Sequence, residues 1–316
     1  MCTLTAQDIR AFVSEPRFDP QRVLAGDPTS PRISVVMPSF NQAEFLERAI
    51  LSVLNQNYPN TELIVMDGGS NDGSLEIIRR YAKYLAFWVS EPDKGQAAAL
   101  NRGLAMASGD LVGWQNSDDL YLPGVFATVG RAIQAFPATD LITCNNFLID
   151  ERDEVIEEVR YVPFHLDHLI FLGWNLSSQA TFWRHRLTPR VGRMREDLRV
   201  GFDYDWFIRL GKVAEHSLLI PVPAACYRIH PASKFSTIAP ESRWPMEAGI
   251  LNAHGIRARA DIPWFRQYRW KKLRMWLHWR ITYALLQGGK LRRWRYLWLP
   301  WWERRGLVFT GAEVCS

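Results

Sequence analysis

Short apolar runs alternate with amphipathic stretches between residues 33 and 115, and this alternation constrains the fold more than any other feature of the chain. The predicted strands are Ile33–Met37, Glu62–Met66, Leu85–Val89 and Asp110–Gln115. The predicted helices between them are Ala43–Asn55, Asp72–Tyr84 and Gln96–Ala107. Strands that alternate with helices of about 10 to 14 residues form βαβ units. We therefore expect an α/β fold with a mostly parallel sheet flanked by helices.

A polar cluster follows each of these predicted strands. The four clusters are Pro38–Gln42, Asp67–Gly73, Glu91–Gln96 and Asn116–Asp119. In an open parallel sheet the carboxyl ends of the strands lie along one edge, and ligands bind just beyond that edge. We therefore expect the four clusters to converge on one binding site.

The alternation ends after Asp140. Beyond it we predict an antiparallel hairpin of Leu141–Ile149 with Val155–Tyr161. Two helices, His165–Phe171 and Tyr204–Lys212, and a final extended segment, Ser217–Ile229, complete the prediction. Three regions follow from this pattern: an irregular lead-in at residues 1–32, an α/β domain at 33–240 and a helical aromatic-basic extension at 241–316.

The composition is that of a folded globular protein, because 47% of the 316 residues are hydrophobic and 22% are charged. The four cysteines are scattered without a CxxC pair, which disfavours a zinc site or a disulfide framework. The first residues show no signal pattern, and no apolar run reaches the roughly 18 residues that a membrane span needs. We therefore expect a cytoplasmic protein.

Positive charge is concentrated in residues 264–305. This segment holds twelve Lys or Arg against one acid, which gives it a net charge of +11. Since the whole chain has a net charge of +5, the remaining residues carry +5 − 11 = −6. The segment also holds eight Trp. A basic helix with an aromatic face suits an anionic membrane surface, while packing of the Trp on the α/β domain is the alternative. A nucleic-acid partner is disfavoured because the remainder of the chain is acidic.

Two adjacent carboxylates, Asp118 and Asp119, follow the apolar run Leu111–Trp114. A strand that ends in Ser-Asp-Asp brings hard oxygen ligands to the sheet edge, where they suit Mg²⁺ or Mn²⁺ held against a phosphate-bearing ligand. A helix cap or a solvated turn explains the same residues. The other polar clusters at the same predicted edge favour the metal site.

Seven motifs occur along the chain in the order ISVVMPSFNQ, VMDGGSNDGS, SEPDKGQAAALNRG, WQNSDDLY, SQATFWR, GFDYDWFIRL and YRIHPASK. This order resembles that of family 2 glycosyltransferases of the GT-A fold, over roughly residues 33–235. The resemblance implies a GT-A Rossmann-like sheet and an inverting transfer of a sugar from a nucleotide-diphosphate sugar, with a UDP-sugar favoured. It also implies a Mn or Mg cofactor and a saccharide or lipid-linked saccharide acceptor.

The resemblance implies that nucleotide and donor sugar contact the first four motifs, at Pro38, Phe40, Asn41, Asp67, Asp93, Lys94, Gly95, Gln96, Ser117 and Asp119. A cap of the following helix explains Ser39 and Asn41 equally well, and a tight turn explains Gly68 and Gly69. A helix that begins near Gln96 with a lysine beside it suits an anionic ligand.

The metal ligands implied by the resemblance are Asp118 and His230. Asp118 matches the last acid of the family's DxD motif, whereas Asn116 replaces the first acid, so one ligand charge is missing. Asp119 would either support that ligand from behind or contact the donor sugar. His230 resembles a histidine that approaches the metal or the diphosphate in related enzymes. A surface or packing role explains His230 equally well.

The general base implied by the resemblance is Asp203, which aligns with the acid of the family's ED motif. An inverting transfer needs one carboxylate to accept the proton of the acceptor hydroxyl. Asp205 competes for this role, and a helix cap is the structural alternative for Asp203. Gln179 and Trp183 would line the acceptor side, whereas strand packing explains them without a ligand.

Two other classes of protein are considered. A nucleotide-sugar-binding or scaffold protein with weak catalysis would share the fold, and only Asn116 supports it. A nicotinamide-dependent dehydrogenase would need GxGxxG after the first strand, where this chain has Pro-Ser-Phe-Asn-Gln. The sequence therefore favours the glycosyltransferase.

Overall fold

A computed structural model describes residues 4–27, 29–171, 175–233, 240–257 and 306–308. The helices are α1 Ala6–Val13, α2 Pro20–Ala25, α3 Ala43–Leu54, α4 Ser74–Tyr81, α5 Gln96–Met106, α6 Val125–Ala135, α7 Leu166–Phe171, α8 Thr188–Val191, α9 Phe202–Val213 and α10 Pro240–Ala253. The strands are β1 Ile33–Ser39, β2 Thr61–Asp67, β3 Phe87–Ser90, β4 Leu111–Trp114, β5 Leu120–Tyr121, β6 Leu141–Ile149, β7 Val155–Val159, β8 Thr181–Arg184, β9 Ser217–Arg228 and β10 Gly306–Val308. Single turns of 3₁₀ helix lie at Ala82–Tyr84 and His185–Leu187.

One sheet organises the described residues, with strand order β10-β9-β6-β8-β4-β1-β2-β3 and with β5 and β7 paired to β9 and β6. β1 lies between β2 and β4 and pairs with both in parallel. β8 runs antiparallel between β4 and β6, and β6 and β9 are parallel. The predicted α/β class, a mostly parallel sheet flanked by helices, is confirmed.

Side chains of the central strands alternate between two apolar cores. In β1, Val35 belongs to the core that α3 and α6 cover, whereas Val36 belongs to the core that α5 and α9 cover. This alternation is the two-residue period of a strand with both faces buried. α5 approaches β1 so closely that a Cβ at Gly103 would lie 2.4 Å from Val36 Cγ1. A Gly103→Ala change would therefore push α5 away from the strand that carries the first polar cluster.

The irregular lead-in predicted for residues 1–32 is not irregular in the structure. α1 begins with a capping box between Thr5 and Asp8, and its apolar residues Ile9 and Val13 are buried against α3. α2 follows an Asp19 cap. Both helices are short, so their apolar positions gave too little periodicity to be recognised.

Pro38 was predicted to stop the first strand, but β1 continues through it to Ser39. Pro38 lies beyond Val36↔Trp114, the last register pair between β1 and β4. Because β4 has already ended at this point, the N–H that proline lacks would face no neighbouring strand, and the sheet loses little hydrogen bonding.

The helix α10 begins at the predicted domain boundary and packs on α9, with Ala248 and Leu251 buried in the same core. A Cβ at Gly201 would lie 2.8 Å from Ile250 Cδ1, so the start of α9 and α10 are in close contact. The boundary at residue 240 stays a prediction. The basic, Trp-rich residues 264–305 lie outside the described part of the chain. Among the described residues, no helix combines the length and apolarity that a membrane span requires.

Candidate functional site

Asp118 and His230, the two predicted metal ligands, meet at the carboxyl ends of β4 and β9. Nε2 of His230 lies 3.1 Å from Oδ2 of Asp118, although the residues are 112 positions apart in sequence. The antiparallel pairing of β5 with β9 brings their two segments together. The side chain of Asp118 is 20% exposed and that of His230 is 5% exposed. The carboxylate is therefore open to a ligand, and the imidazole supports it from within.

His230 is held on two sides. Its ring lies 5.0 Å from the ring of Phe45, at the start of α3. The hydrogen bond with Asp118 raises the pKa of His230 above its usual 6.5, while burial opposes the rise. The surface role considered for His230 does not fit a ring that is 6% exposed and paired with a carboxylate.

Asp119 has a different environment from its neighbour, because it is 1% exposed. Its Oδ1 accepts a hydrogen bond from the backbone N–H of Arg228 at 2.8 Å, and its Oδ2 accepts from the amides of Asn116 and Gln179. Burial, together with the nearby charge of Asp118, raises the pKa of Asp119 to about 7. Asp119 therefore anchors the loop from inside, and the predicted donor contact would have to come from Asp118 or from the loop backbone.

Asn116, at the first position of the metal motif, is fully hydrogen bonded within the protein. Its Oδ1 accepts from Gln96 Nε2 and from Trp114 Nε1, both at 2.8 Å. Its Nδ2 donates to Asp119 Oδ2 at 2.9 Å. An aspartate could not make the last bond, because a carboxylate has no hydrogen to donate. Asn116 therefore fixes the loop and connects it to the start of α5.

Arg228 and Asp153 are site residues that the sequence reasoning missed. Arg228 is 1% exposed, and its Nε donates to the backbone oxygen of Asp118 at 2.7 Å. Its guanidinium also pairs with Asp153 at 2.6 Å, in the turn between β6 and β7. An arginine at the end of the run Ala224–Tyr227 was the signal, because a buried guanidinium needs a buried carboxylate.

The predicted convergence of the first two polar clusters is confirmed by hydrogen bonds between them. The backbone N–H of Asn41, which has φ 51°, donates to Ser70 Oγ at 2.7 Å, and Asn71 N–H donates to Asn41 Oδ1 at 3.0 Å. Pro38 and Ser39 are buried, whereas Phe40 is 60% exposed. Among the residues predicted here to contact the nucleotide, Phe40 is the one that presents a free aromatic surface.

Asp67 is placed for a structural role. It is 2% exposed, and its carboxylate accepts hydrogen bonds from the backbone of Gly69 and Ser70 and from the hydroxyls of Ser70 and Ser90. These bonds hold the turn after β2 against the end of β3. The predicted contact between the Asp67 side chain and a nucleotide stays a prediction, and it would require one of these bonds to be shared.

The third cluster packs on this turn. A Cβ at Gly68 would lie 3.2 Å from the carboxyl group of Asp93, so any larger residue would have to displace that side chain slightly. Asp93 Oδ1 in turn accepts the N–H of Gly95 at 2.6 Å, and Gly95 has φ 103°. Lys94 is exposed. Through Gln96, the start of α5 is bonded to Asn116, so the third and fourth clusters are also in contact.

Asp203 and Asp205 lie in the first turn of α9 but have unlike surroundings. Asp205 is 3% exposed and pairs with Arg209 at 2.7 Å and with His254 at 3.0 Å. Asp203 is only half-buried. Phe202 stacks on Trp114 with ring centroids 5.8 Å apart. This contact joins the start of α9 to residues 115–119, the loop that carries the predicted metal ligand Asp118 and is called the metal loop below. The structure thus leaves Asp203 accessible and commits Asp205 to an ion pair.

Gln179 and Trp183, predicted to line the acceptor side, are both buried. Gln179 is 1% exposed, and its Nε2 donates to Asp119, so it supports the metal loop. Trp183 is fully buried, donates to Thr188 Oγ1 at 3.0 Å and packs on Trp206 at 4.8 Å. On β8 the Trp183 side chain faces the helix-covered core, which fits the strand-packing alternative, and the acceptor-side role stays a prediction.

The donor atoms at Asp118 and His230 fit a divalent cation held jointly with a phosphate. Among residues with described side chains, no group of three or more His, Cys, Asp or Glu is arranged to bind a metal. One carboxylate and one imidazole leave most coordination positions to other ligands, as where Mg²⁺ or Mn²⁺ binds through substrate phosphates and water. The two residues would therefore hold the cation only together with the diphosphate.

Comparisons with known proteins identify the family of the chain. The family model described as Glycosyl transferase family 2 matches residues 34–182. An uncharacterised glycosyltransferase of Mycobacterium tuberculosis is 32% identical over 202 residues, which is 63% of this chain and 74% of that protein. One from Nostoc is 30% identical over 270 residues, covering 75% of this chain and 81% of that protein.

Solved structures with the same fold include Staphylococcus aureus TarS 1-349 in complex with UDP-GlcNAc, with a TM-score of 0.58 and 17% identity. That match covers 82% of this chain and 76% of the TarS fragment, whereas a longer TarS chain is covered to 46%. The mannosyltransferase PcManGT from Pyrobaculum calidifontis, in complex with GDP-Man and Mn²⁺, has a TM-score of 0.51 and 18% identity, covering 90% of this chain and 77% of that one. With the sequence relatives above, these likenesses lead to one conclusion: the chain belongs to glycosyl transferase family 2.

Proposed function

We propose that this protein transfers a sugar, with inversion, from a nucleotide-diphosphate sugar to a hydroxyl group of a saccharide or lipid-linked saccharide. The observation that carries the proposal is the pairing of Asp118 with His230 at 3.1 Å, at the sheet edge where the polar clusters converge. An open carboxylate backed by a buried imidazole is suited to a cation that bridges to a diphosphate. Family membership supports the same reaction class.

The donor site in this proposal lies between the β1 and β4 ends and the start of α5. Phe40 offers its exposed ring to the nucleotide base, and Lys94 with the first turn of α5 offers positive charge to the diphosphate. Asn41 and Gly95 shape the backbone of the two loops. UDP is the favoured nucleotide, because a relative with this fold binds UDP-GlcNAc, although another binds GDP-Man.

Asp203 acts as the general base in this proposal. Its carboxylate takes the proton from the acceptor hydroxyl while that oxygen forms a bond to the anomeric carbon from the face opposite the diphosphate. The bond from the anomeric carbon to the diphosphate oxygen breaks in the same step, and the nucleoside diphosphate leaves with the bonding electrons. Asp205 keeps its ion pair with Arg209 and holds the helix start in place.

Asp118 and His230 are the proposed ligands of Mn²⁺ or Mg²⁺, which when bound supplies positive charge that stabilises the departing diphosphate. Asp118 would provide the exposed carboxylate oxygen, and His230 would bind the same ion through Nε2 in place of its present hydrogen bond to that carboxylate. Asn116, Asp119 and Gln179 keep the loop in one conformation, so the carboxylate need not reorganise when the donor enters.

The acceptor in this proposal is presented near a membrane. The +11 charge and eight Trp of residues 264–305 suit the anionic inner face of a cell membrane, which would place the protein there as a peripheral, cytoplasmic enzyme. Binding to vesicles that contain about 30% anionic lipid, compared with neutral vesicles, tests this part separately.

The experiment for the donor site is a thermal-shift and calorimetry panel of UDP, GDP, dTDP and CDP, with and without Mn²⁺. We expect one nucleotide to raise the melting temperature in a Mn²⁺-dependent way. Asp118→Asn removes the metal-dependent part of the shift, because the amide carries no charge. The nucleotide that gives the shift would identify the donor class. Loss of that shift in the variant would support the cation site.

The matched control is Asp110→Asn, which lies just before β4 and therefore at the opposite end of that strand from Asp118, where the Asp110 carboxylate accepts the backbone N–H of Arg32. This variant should keep the Mn²⁺-dependent shift of the wild type. If no nucleotide stabilises the folded wild type, or if both variants lose the shift equally, the proposed donor site is wrong.

A further inference from the structure

A buried ion-pair cluster lies under the metal loop and includes two residues already described beside it. It consists of Arg228, Asp153 and Arg48. The side chains of Arg228 and Asp153 are 0% and 3% exposed, and that of Arg48 is 26% exposed. Burying such charges costs several kcal/mol per ion unless each hydrogen-bonding group is paired. The cluster therefore has to be explained by what it holds.

Arg228 makes four hydrogen bonds that converge on two loops. Its backbone N–H donates to Asp119 Oδ1 at 2.8 Å, and its Nε donates to the backbone oxygen of Asp118 at 2.7 Å. Its Nη1 donates to the backbone oxygen of Asp150 at 2.7 Å, and its Nη2 donates to Asp153 Oδ1 at 2.6 Å. One planar guanidinium thus ties the metal loop to the β6–β7 turn.

The same guanidinium supports the second metal ligand from below. It lies 4.7 Å from the centroid of the Phe45 ring, and that ring lies 5.0 Å from the ring of His230. Arg48 completes the arrangement, because it pairs with the other oxygen of Asp153 and also lies 5.4 Å from Phe45. Both proposed ligands therefore rest on groups that Arg228 touches.

The β6–β7 turn is shaped to present Asp153 to this cluster. Asp153 has φ 64°, in the left-handed region that Asp and Asn tolerate better than other non-glycine residues. Asp150 fixes the turn by accepting the backbone N–H groups of Arg152 and Glu154, at 2.8 and 2.9 Å. A buried side chain in a rarely used backbone conformation is typical of a position whose orientation matters.

We infer that Arg228 and Asp153 are positioning residues for the cation site, and that the β6–β7 turn sets the placement of Asp118 through them. The inference rests on the proposed function for the identity of what Asp118 binds. Neither residue touches the reacting atoms. Arg228 acts by fixing the Asp118 backbone and the Asp119 carboxylate, and Asp153 acts by fixing the guanidinium.

The test uses three variants of the full chain. Arg228→Lys keeps the charge and the backbone N–H but cannot form the fork to Asp118, Asp150 and Asp153. Asp153→Asn keeps the left-handed backbone preference and removes one charge, so it serves as the milder variant if Arg228→Lys does not fold. Arg209→Lys is the matched control, since Arg209 also bonds to an aspartate and a backbone oxygen, those of Asp205 and Val191.

The first readout is hydrogen exchange of residues 116–121, which needs no ligand. We expect exchange about tenfold or more faster in Arg228→Lys and Asp153→Asn than in the wild type, and unchanged in Arg209→Lys. Unchanged exchange in both cluster variants would overturn the inference. This readout decides the point even if the wild type binds no nucleotide, in which case the proposed function fails and not the positioning role.

The second readout is the dissociation constant of Mn²⁺ in the presence of saturating UDP, well below the melting temperature. Loss of an outer partner of a metal ligand weakens the metal by about 10- to 100-fold, and we expect that range for Arg228→Lys and a smaller effect for Asp153→Asn. Arg209→Lys should bind Mn²⁺ as the wild type does. Equal weakening in the control would mean a general loss of structure and would overturn the assignment.

Discussion

The metal loop and the start of α9 each present a pair of aspartates, and in both pairs the two carboxylates are divided in the same way. Asp118 and Asp203 are open to solvent in part, whereas Asp119 and Asp205 are 1% and 3% exposed. The open member of each pair is the one proposed for chemistry. The buried member is hydrogen bonded within the protein and fixes the backbone beside its partner.

The two buried carboxylates are neutralised by different means. Asp119 accepts three N–H bonds, two of them from neutral side-chain amides, and burial with the Asp118 charge raises its pKa to about 7. Asp205 instead pairs with the guanidinium of Arg209 and with His254. Asp119 is therefore held by neutral N–H donors, whereas the nearby Arg228 guanidinium donates to the backbone oxygen of Asp118. The α9 pair is charge-balanced.

The two histidines that contact these aspartate pairs, His230 and His254, have pKa values shifted in opposite directions. His230 contacts the open carboxylate Asp118, and this hydrogen bond raises its pKa. His254 contacts the buried carboxylate Asp205, and burial together with the charge of Lys212 lowers its pKa. Lys212 Nζ lies 3.0 Å from His254 Nδ1, so the neutral ring carries its hydrogen on Nε2 and donates to Asp205. One histidine belongs to the proposed cation site and the other to a helix contact.

The largest effect is expected from Asp203→Asn. If Asp203 is the base, kcat falls by about 10² to 10⁴, the range that general-base catalysis contributes. The affinity for Mn²⁺ and nucleoside diphosphate stays close to that of the wild type. Steady-state kinetics beside calorimetry measures both. A variant that keeps kcat would exclude Asp203 from catalysis.

Asp205→Ala should have the opposite signature. Removing one partner of a buried ion pair leaves Arg209 without compensation, and such changes cost about 3 to 5 kcal/mol of the free energy of unfolding. Urea unfolding measures this loss. If Asp205→Ala is as stable as the wild type but loses turnover, the assigned roles of Asp203 and Asp205 are wrong, because Asp205 would then be the catalytic member of the pair.

Asn116→Asp tests whether the missing acid of the metal motif matters. Aspartate cannot donate to Asp119, so we expect a loss of about 1 to 3 kcal/mol in the free energy of unfolding and no gain in Mn²⁺ affinity. Asn116 then serves as a loop brace. Tighter Mn²⁺ binding in this variant would show that position 116 does face the cation.

The smallest effect concerns the pH dependence at α9. The pKa of His254 is lower in the folded protein than its usual 6.5, so the unfolded state takes up more protons as pH falls through 6.5. Stability that is present above pH 6.5 is therefore lost below it. Since Asp205, Lys212 and Arg209 surround the ring, His254→Gln should reduce this slope. Unfolding at pH 7.5 and 5.5 compares the two proteins, and equal slopes would contradict the assignment.

The sheet and the convergence of the polar clusters could be predicted because both are local properties of sequence. Apolar periodicity in β1, β2 and α5 reports which face each element buries, and parallel strands bring their carboxyl ends to one edge. α6 was not predicted, although Val125, Val129 and Ala132 show a helical spacing. That signal was present and readable.

The division within each aspartate pair could not be predicted, because it depends on partners far away in sequence. Asp119 is set by Gln179 and Arg228, which are 60 and 109 positions away, and Asp205 is set in part by His254, 49 positions away. A motif fixes which residues are present and not which of them is buried. The burial of Trp183 against Trp206 likewise depends on a residue distant in sequence.

A Mn²⁺ titration followed by electron paramagnetic resonance, in the presence of saturating UDP, tests the division of roles most directly. The wild type, Asp118→Asn and Asp203→Asn are compared. We expect one tightly bound Mn²⁺ ion in the wild type and in Asp203→Asn, and Mn²⁺ binding weaker by about tenfold or more in Asp118→Asn. Undiminished binding in Asp118→Asn, or equal loss in both variants, would contradict the division of roles.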